Sequence, residues 1–143
     1  MAGHRYKIPY LKDVAEVVLA FIAAWIIYQG LSIATGTPMP LVTVVGNSML
    51  PNLHNGDLAF ALRSDDLKVG DIVTYQKPGE KFTIVHRIDE IVDGDGITGY
   101  IIKGDNNPGP DPVVVKKEQI LGKVMFAVPL LGYPRLALHL IGI

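Results

Sequence analysis

The sequence predicts a mostly β protein: an antiparallel β domain carried on a single N-terminal membrane helix. Two patterns support this fold class. One is an uninterrupted apolar run near the N-terminus. The other is a series of short stretches behind it, which alternate apolar and polar residues between Gly-, Pro- and Asp-containing turns. The mean hydropathy of +0.31 is high for a small soluble domain. A chain of 143 residues has room for one domain with a core, and we expect part of it to contact lipid.

The apolar run extends from Val14 to Ile33 and contains one charge, Glu16. A helix over these residues would be roughly 30 Å long, which matches the hydrocarbon core of a bilayer. A cleaved signal peptide is the alternative, but its apolar region is normally only about 7–15 residues long. The run therefore predicts an uncleaved transmembrane anchor over residues 14–35.

Basic residues indicate how this anchor is oriented. Arg5, Lys7 and Lys12 precede it, and the first basic residue after it is Arg63. Positive charge tends to remain on the cytoplasmic side, so we expect residues 1–13 in the cytoplasm. The rest of the chain would then lie on the extracytoplasmic side of the cell membrane, in a single-pass topology.

Residues 36–128 are predicted to form the β domain, and sequences such as KPGE and DGDG are typical of its turns. The expected strands are Leu41–Val45, Leu58–Leu62, Asp71–Gln76, Phe82–Val92, Ile97–Lys103 and Gln119–Val128.

Residues 129–143 form an apolar C-terminal segment, which Pro129 and Pro134 interrupt and which carries Arg135. We expect this segment to lie in the membrane interface, and a second membrane-spanning helix is the alternative.

The composition argues against several classes of site. Without cysteine there is no disulfide, no thiolate zinc site and no cysteine nucleophile. A net charge of −1 gives no reason to expect a nucleic-acid partner. The histidines and acidic residues lack the short spacings of a metal site, so we expect no metal and no other cofactor.

Three polar places remain for chemistry: Ser48, His86 and the loop Lys103–Asp111. Attack of a serine on a carbonyl needs a base, histidine is suited to that task near neutral pH, and a carboxylate can fix the imidazole tautomer. Each place also has an ordinary structural explanation, as a turn serine, a half-buried strand histidine and a solvated loop. Taken singly, these residues leave both interpretations open.

The order of the segments favours catalysis. The anchor is followed by S-M-L-P at Ser48–Pro51, Gly-Asp pairs at 56–57 and 70–71, I-V-H-R-I around His86, and G-D-N-N at Gly104–Asn107. Together these segments resemble type I signal peptidases over residues 14–124. The bacterial branch of that family has a lysine base before an arginine. Here His86 precedes Arg87, so the chain is similar to the archaeal and endoplasmic-reticulum branch.

This resemblance implies a signal-peptidase-like β domain in which Ser48 is the nucleophile and His86 the general base. Asp111 corresponds to the acidic residue that completes the Ser-His-Asp site of this branch. Asp105, in G-D-N-N, is implied to support the same loop. No cofactor is implied.

The resemblance also implies an oxyanion hole, to which the backbone N–H of Ser48 would donate. The family usually has S-G-S-M-x-P, whereas this chain has Gly46 and Asn47 in the first two places. Gly46 supplies no side-chain hydroxyl, and Asn47 is the candidate substitute donor.

The implied function is that of a membrane-bound serine endopeptidase, which removes signal peptides from translocated precursors after small-x-small sites. Its implied partners are secretory precursors, the lipid bilayer and the translocation machinery. The candidates for lining shallow substrate pockets are Val44, Leu50, Ile84 and Val85.

Two other functions stay open on the sequence. One is a membrane-anchored binding subunit that kept the fold and lost activity, which the altered Gly46-Asn47 would allow. The other is a LexA-like self-cleaving serine protease, although such proteins use a lysine base and lack an anchor.

Overall fold

The computed structural model describes residues 10–94 and 96–140. Its N-terminal helix, α1, spans Leu11–Thr35 and is capped by Gly36, whose left-handed φ of 66° suits a glycine at a helix C-terminus. Large apolar side chains such as Phe21 and Trp25 are exposed along it. The helix is long and apolar enough to cross a membrane. It coincides with the predicted anchor and begins at Leu11 rather than Val14.

Within the described residues, seven strands form one sheet in the order β1-β2-β7-β3-β4-β5-β6, and every neighbouring pair is antiparallel. The predicted fold class, a mostly β domain behind one apolar helix, is confirmed. The strands are β1 Leu41–Thr43, β2 Leu58–Leu62, β3 Ile72–Tyr75, β4 Ile84–Gly94, β5 Ile97–Lys103, β6 Val115–Lys116 and β7 Ile120–Val128.

The sequence analysis missed β6, because two residues are too few for an alternating pattern to emerge. It also started β4 two residues early, at Phe82. The residues before Ile84 belong to the turn that follows β3, and pairing with β3 begins where Tyr75 lies opposite Ile84.

Two apolar clusters make up the core, and β4 contributes to both. Ile88 belongs to the first cluster, while Val85 belongs to the second. This follows from the alternation of side chains along a strand, and it places His86 on the same side of β4 as Ile84 and Ile88. The first cluster consists of Leu67, Val73, Tyr75, Ile88, Tyr100, Ile102 and Val115, and the second of Val42, Val44, Met49, Leu53, Ala59 and Val85.

A short helix, α2, spans Tyr133–Leu140 near the C-terminus. Its eight residues give a length of about 12 Å, well below the thickness of a hydrocarbon core. The helix is attached to the domain because the Gly132 N–H donates to the Gly56 carbonyl over 2.9 Å. The Tyr133 ring covers Gly56 so closely that a Cβ there would lie 2.5 Å from a ring carbon.

Candidate active site

Three side chains from separate segments form one hydrogen-bonded chain. Ser48 Oγ lies 3.1 Å from His86 Nε2, and His86 Nδ1 lies 2.7 Å from Asp111 Oδ2. His86 is only 8% exposed, so the imidazole is largely shielded from water. A hydroxyl, an imidazole and a carboxylate in this order are what nucleophilic attack by serine requires, because the base can take the proton and the carboxylate can steady the charged ring.

The turn that carries Ser48 is anchored by its neighbour. Met49 is 1% exposed and packs in the second cluster. The Asn52 and Leu53 N–H groups both donate to the Met49 carbonyl over 3.0 Å. The residue after the serine therefore fixes the turn to the core, and Ser48 is held at the core's edge beside His86.

The G-D-N-N loop holds the same turn from the other side. The Asn106 N–H donates to the Ser48 carbonyl over 2.8 Å, and Asn106 Nδ2 donates to the Asn47 carbonyl over 3.2 Å. Gly104 lies so close that a Cβ at that position would be 2.7 Å from the Ser48 oxygen. The close approach explains the need for a glycine there, and it couples the two most distinctive sequence motifs of the chain.

Asp105 and Asp111 have different surroundings although one loop carries both. Asp105 accepts two hydrogen bonds from Arg87, of 2.8 and 2.7 Å, and one of 2.7 Å from Asn52. No hydrogen bond joins it to His86 among the described residues. The hydrogen bond from Arg87 lowers the pKa of Asp105, against the opposing effect of burial, and Asn52 adds to the lowering. The structure therefore places Asp105 in a loop-fastening pair rather than in the chain of Ser48 and His86.

Asp111 is held by its own main chain and by a tyrosine. Its N–H donates to the Ile102 carbonyl over 2.8 Å, which ties the end of the loop back to β5. Its Oδ2 accepts from both His86 and the hydroxyl of Tyr75. The sequence analysis missed Tyr75, because an aromatic residue on an apolar strand face gives no signal that its hydroxyl reaches a polar site.

The backbone N–H of Ser48 has no acceptor among residues 10–94 and 96–140. The Asn47 side chain likewise makes no hydrogen bond in this part of the chain and is exposed, while its carbonyl accepts from Asn106. Gly46 has a φ of 91°, and its N–H donates to Asn55 Oδ1 over 3.0 Å. The Ser48 N–H is thus available to an incoming acceptor, and the Gly46 N–H is not.

An apolar cleft of about 820 Å³ opens beside Ser48 and His86. Three of the four predicted pocket residues line it, namely Val44, Ile84 and Val85. Leu50 does not, because it lies beyond the turn in which its N–H donates to the Asn47 carbonyl over 3.3 Å. The sequence analysis did not anticipate Phe82, which is 60% exposed, or Leu138 of α2, and both line the cleft.

Comparison with known families gives a match to the model described as Peptidase S24-like, over residues 10–125. The chain belongs to the Peptidase S24-like family. The matched residues include Ser48, His86 and Asp111, and they contain α1 and all seven described strands except the end of β7. The family is one of serine peptidases, which agrees with the predicted enzyme class.

Several curated relatives of this family member carry one name, signal peptidase complex catalytic subunit. The relative from Lachancea thermotolerans is 35% identical over 129 residues, which cover 82% of the chain and 77% of the relative. Relatives from Sclerotinia sclerotiorum and Saccharomyces cerevisiae (strain YJM789) are 32% and 33% identical, over 85% and 86% of the chain and 76% and 80% of their own lengths. These names confirm the resemblance to signal peptidases and favour that function over the two alternatives.

Proposed function

We propose that this chain is a membrane-anchored signal peptidase that cuts translocated precursors through Ser48, His86 and Asp111. The single observation that carries the proposal is the unbroken hydrogen-bonded chain from Ser48 Oγ through His86 to Asp111, placed at the wall of an apolar cleft. The names of the curated relatives support the reaction and the substrate class.

The reaction begins when Ser48 Oγ attacks the scissile carbonyl and His86 Nε2 accepts its proton. Asp111 then stabilises the imidazolium through Nδ1, and the Ser48 N–H donates to the oxyanion of the tetrahedral intermediate. Collapse of that intermediate expels the amine of the mature protein, which takes the proton from His86. Water, activated by the same histidine, hydrolyses the acyl-enzyme and regenerates Ser48.

The substrate is proposed to bind as an extended segment along the cleft. In the described sheet β1 pairs only with β2, so one edge of β1 is open to a further strand. Main-chain hydrogen bonds would hold a peptide at such an edge, and alternate side chains would enter the wall formed by Val44, Ile84 and Val85. Shallow apolar pockets of this kind favour small residues before the cut.

The two helices support a proposal for the position of the chain in the membrane. We propose that α1 spans the bilayer with residues 1–13 in the cytoplasm, that the β domain lies on the extracytoplasmic face of the cell membrane, and that residues 129–143 lie in the interface. Exposed apolar side chains at the end of β7 and beyond support the last placement: Met125, Phe126, Val128, Leu130, Leu131 and Tyr133. Association with the translocation machinery, which delivers the precursors, is part of the proposal.

The test is cleavage of a synthetic precursor by the purified full chain in detergent. Ser48→Ala and His86→Ala should each abolish cleavage, and the double variant should be scarcely slower than either single one, since groups that act as a unit give non-additive losses. Ser64→Ala and His54→Ala are matched controls, because His54 is exposed and neither residue contacts the site.

Cleavage by His86→Ala at the wild-type rate would move the general base elsewhere. Loss of cleavage in His54→Ala would have the same consequence. A wild-type chain that binds the precursor and never cuts it would favour the non-catalytic alternative, and cleavage of itself alone would favour the self-cleaving one.

A further inference from the structure

We propose that Tyr75 is a positioning residue of this site, whose hydroxyl holds the Asp111 carboxylate in place for His86. The inference rests on the proposed function and adds a fourth residue to it. Tyr75 does not touch the reacting atoms, and it acts only through Asp111.

The geometry places two donors on one oxygen. The Tyr75 hydroxyl donates to Asp111 Oδ2, and the same oxygen lies 2.7 Å from His86 Nδ1. Among the described residues the other carboxylate oxygen, Oδ1, makes no hydrogen bond. Without the tyrosine, the Asp111 side chain would be held only by the histidine that it has to orient.

The position of the hydroxyl is set by the core and not by the loop. Tyr75 is 0% exposed and packs in the first cluster with Ile88 and Ile102. It lies on β3, where Val73, two residues earlier, pairs with His86. Because β3 and β4 are neighbours in the sheet, the tyrosine and the histidine are fixed relative to each other by backbone hydrogen bonds. Tyr75 thus transmits the rigidity of the sheet to a carboxylate carried by a loop.

The charges around this group keep the tyrosine a donor. Burial raises the pKa of Tyr75, the hydrogen bond to Asp111 raises it further, and Glu80 adds a smaller effect in the same direction. Asp105 and Arg87 lie beside the site as an ion pair, and Lys81 lines the cleft next to His86. Because its pKa is raised above the ordinary value of 10.0, the phenol stays protonated at neutral pH.

Removal of the hydroxyl has two physical consequences. The carboxylate loses one of its two side-chain partners, so its position relative to His86 becomes less defined and turnover falls. The imidazole is also no longer oriented by a fixed carboxylate, so its less productive tautomer becomes more accessible.

The experiment compares Tyr75→Phe with Tyr100→Phe in the full chain. Tyr100 is 5% exposed, packs in the same cluster and makes no side-chain hydrogen bond among the described residues, so its variant removes a tyrosine hydroxyl of the same cluster that does not contact Asp111. We expect Tyr75→Phe to lower kcat about 10- to 100-fold, as for the loss of a hydrogen bond to a charged group, with KM unchanged. Tyr100→Phe should leave both kcat and KM unchanged.

Two results would overturn the inference while the proposed function stands. One is a Tyr75→Phe variant that cleaves precursors like the wild type. The other is equal loss of activity in both variants, which indicates a general effect on the core. If the wild type itself fails to cleave precursors, the proposed function is wrong. The inference is then tested by the nitrogen NMR shifts of the His86 ring, which report its tautomer, and only Tyr75→Phe should change them.

A folding defect in Tyr75→Phe would be detected as a lower Tm. In that case kcat of Tyr75→Phe and Tyr100→Phe is compared at a temperature at which both variants are folded, and Tyr75→Phe should still be the slower one. Equal kcat values there would count against the role of Tyr75.

Discussion

The two aspartates of the G-D-N-N loop have different roles because their side chains have different hydrogen-bond partners. Asp111 bonds His86 and Tyr75, whereas Asp105 bonds Arg87 and Asn52. A carboxylate beside the imidazole selects its tautomer, and a carboxylate beside a guanidinium fastens the chain. The two residues should therefore respond differently to the same isosteric change.

We expect Asp111→Asn to suppress turnover by as much as about 10⁴-fold, a loss that a comparable change causes in another serine protease, where the amide stabilises the wrong tautomer. Its Tm should stay close to that of the wild type. Asp105→Asn should lower both activity and stability, the latter by about 1–3 kcal/mol, since it weakens three hydrogen bonds to a largely buried carboxylate. Turnover and melting temperature of the two variants test this, and an active but destabilised Asp111→Asn would reverse the two roles.

The pair of Asp105 and Arg87 should also shape the acid stability of the protein. The pKa of Asp105 is lowered in the folded state from its ordinary value of 3.8, so its stabilising effect is complete above that value and is lost as the pH falls through the folded-state pKa. Stability of the wild type should therefore decline more steeply on acidification than that of Asp105→Asn. Urea unfolding at a series of acidic pH values measures the difference, and parallel curves would contradict it.

At the scale of elements, the site is assembled by turns that meet at one end of the sheet. Both Gly-Asp pairs form the same kind of turn: the Asp57 and Asp71 N–H groups donate to the carbonyls of His54 and Lys68, each over 3.1 Å. The glycine before each aspartate has a φ near 90°, which favours glycine, and the aspartate carboxylate accepts the N–H three residues back. These turns lead the chain into β2 and β3. The first follows the turn that carries Ser48, and the second precedes the strand that carries Tyr75.

The G-D-N-N loop allows a sharp test of element packing. Gly104→Ala should lower kcat about 100-fold, because the new Cβ would have to displace the Ser48 carbonyl from a distance of 2.7 Å and a shift of the nucleophile is costly. Gly109→Ala is the matched control on the same loop, where a Cβ would meet nothing within 4 Å. Kinetics of the two variants decide the matter. Equal activity would mean that the loop yields without moving Ser48.

At the scale of the whole molecule, the apolar helix α1 and the exposed apolar side chains near α2 are two surfaces whose composition suits lipid. The cleft is lined by β1 and β4 together with Leu138 of α2, so the same short helix borders both the proposed membrane surface and the proposed substrate path. A precursor that emerges from the bilayer would then reach Ser48 over a short distance.

The orientation of the chain in the membrane can be tested by labelling single introduced cysteines. The wild-type chain has no cysteine, so it gives no labelling of its own. We expect Asp66→Cys, on an exposed loop of the β domain, to react with a membrane-impermeant maleimide on intact cells. Lys12→Cys, at the start of α1, should react only after the membrane is permeabilised. Labelling measured by gel shift gives the result, and the reverse pattern would place the β domain in the cytoplasm.

The sequence by itself determined the long apolar helix, the class of fold and the family. Both patterns are local properties of the sequence. A membrane-spanning helix needs an apolar run of a certain length, and a strand with one buried face needs an apolar residue at every second position. The order of its motifs likewise pointed to Ser48, His86 and Asp111 before any distance was known.

Only the tertiary structure decided which polar groups meet. Three contacts join residues distant in the chain: Asp105 with Arg87, Gly104 with Ser48, and Tyr75 with Asp111. The absence of Leu50 from the cleft likewise depends on the folded chain. No local period encodes such contacts, because they depend on the register between β3 and β4 and on the path of a loop. The alternation along β3 predicts that the Tyr75 ring is buried, but it does not predict what the hydroxyl contacts. The pairing of the strands places that hydroxyl beside the Asp111 carboxylate.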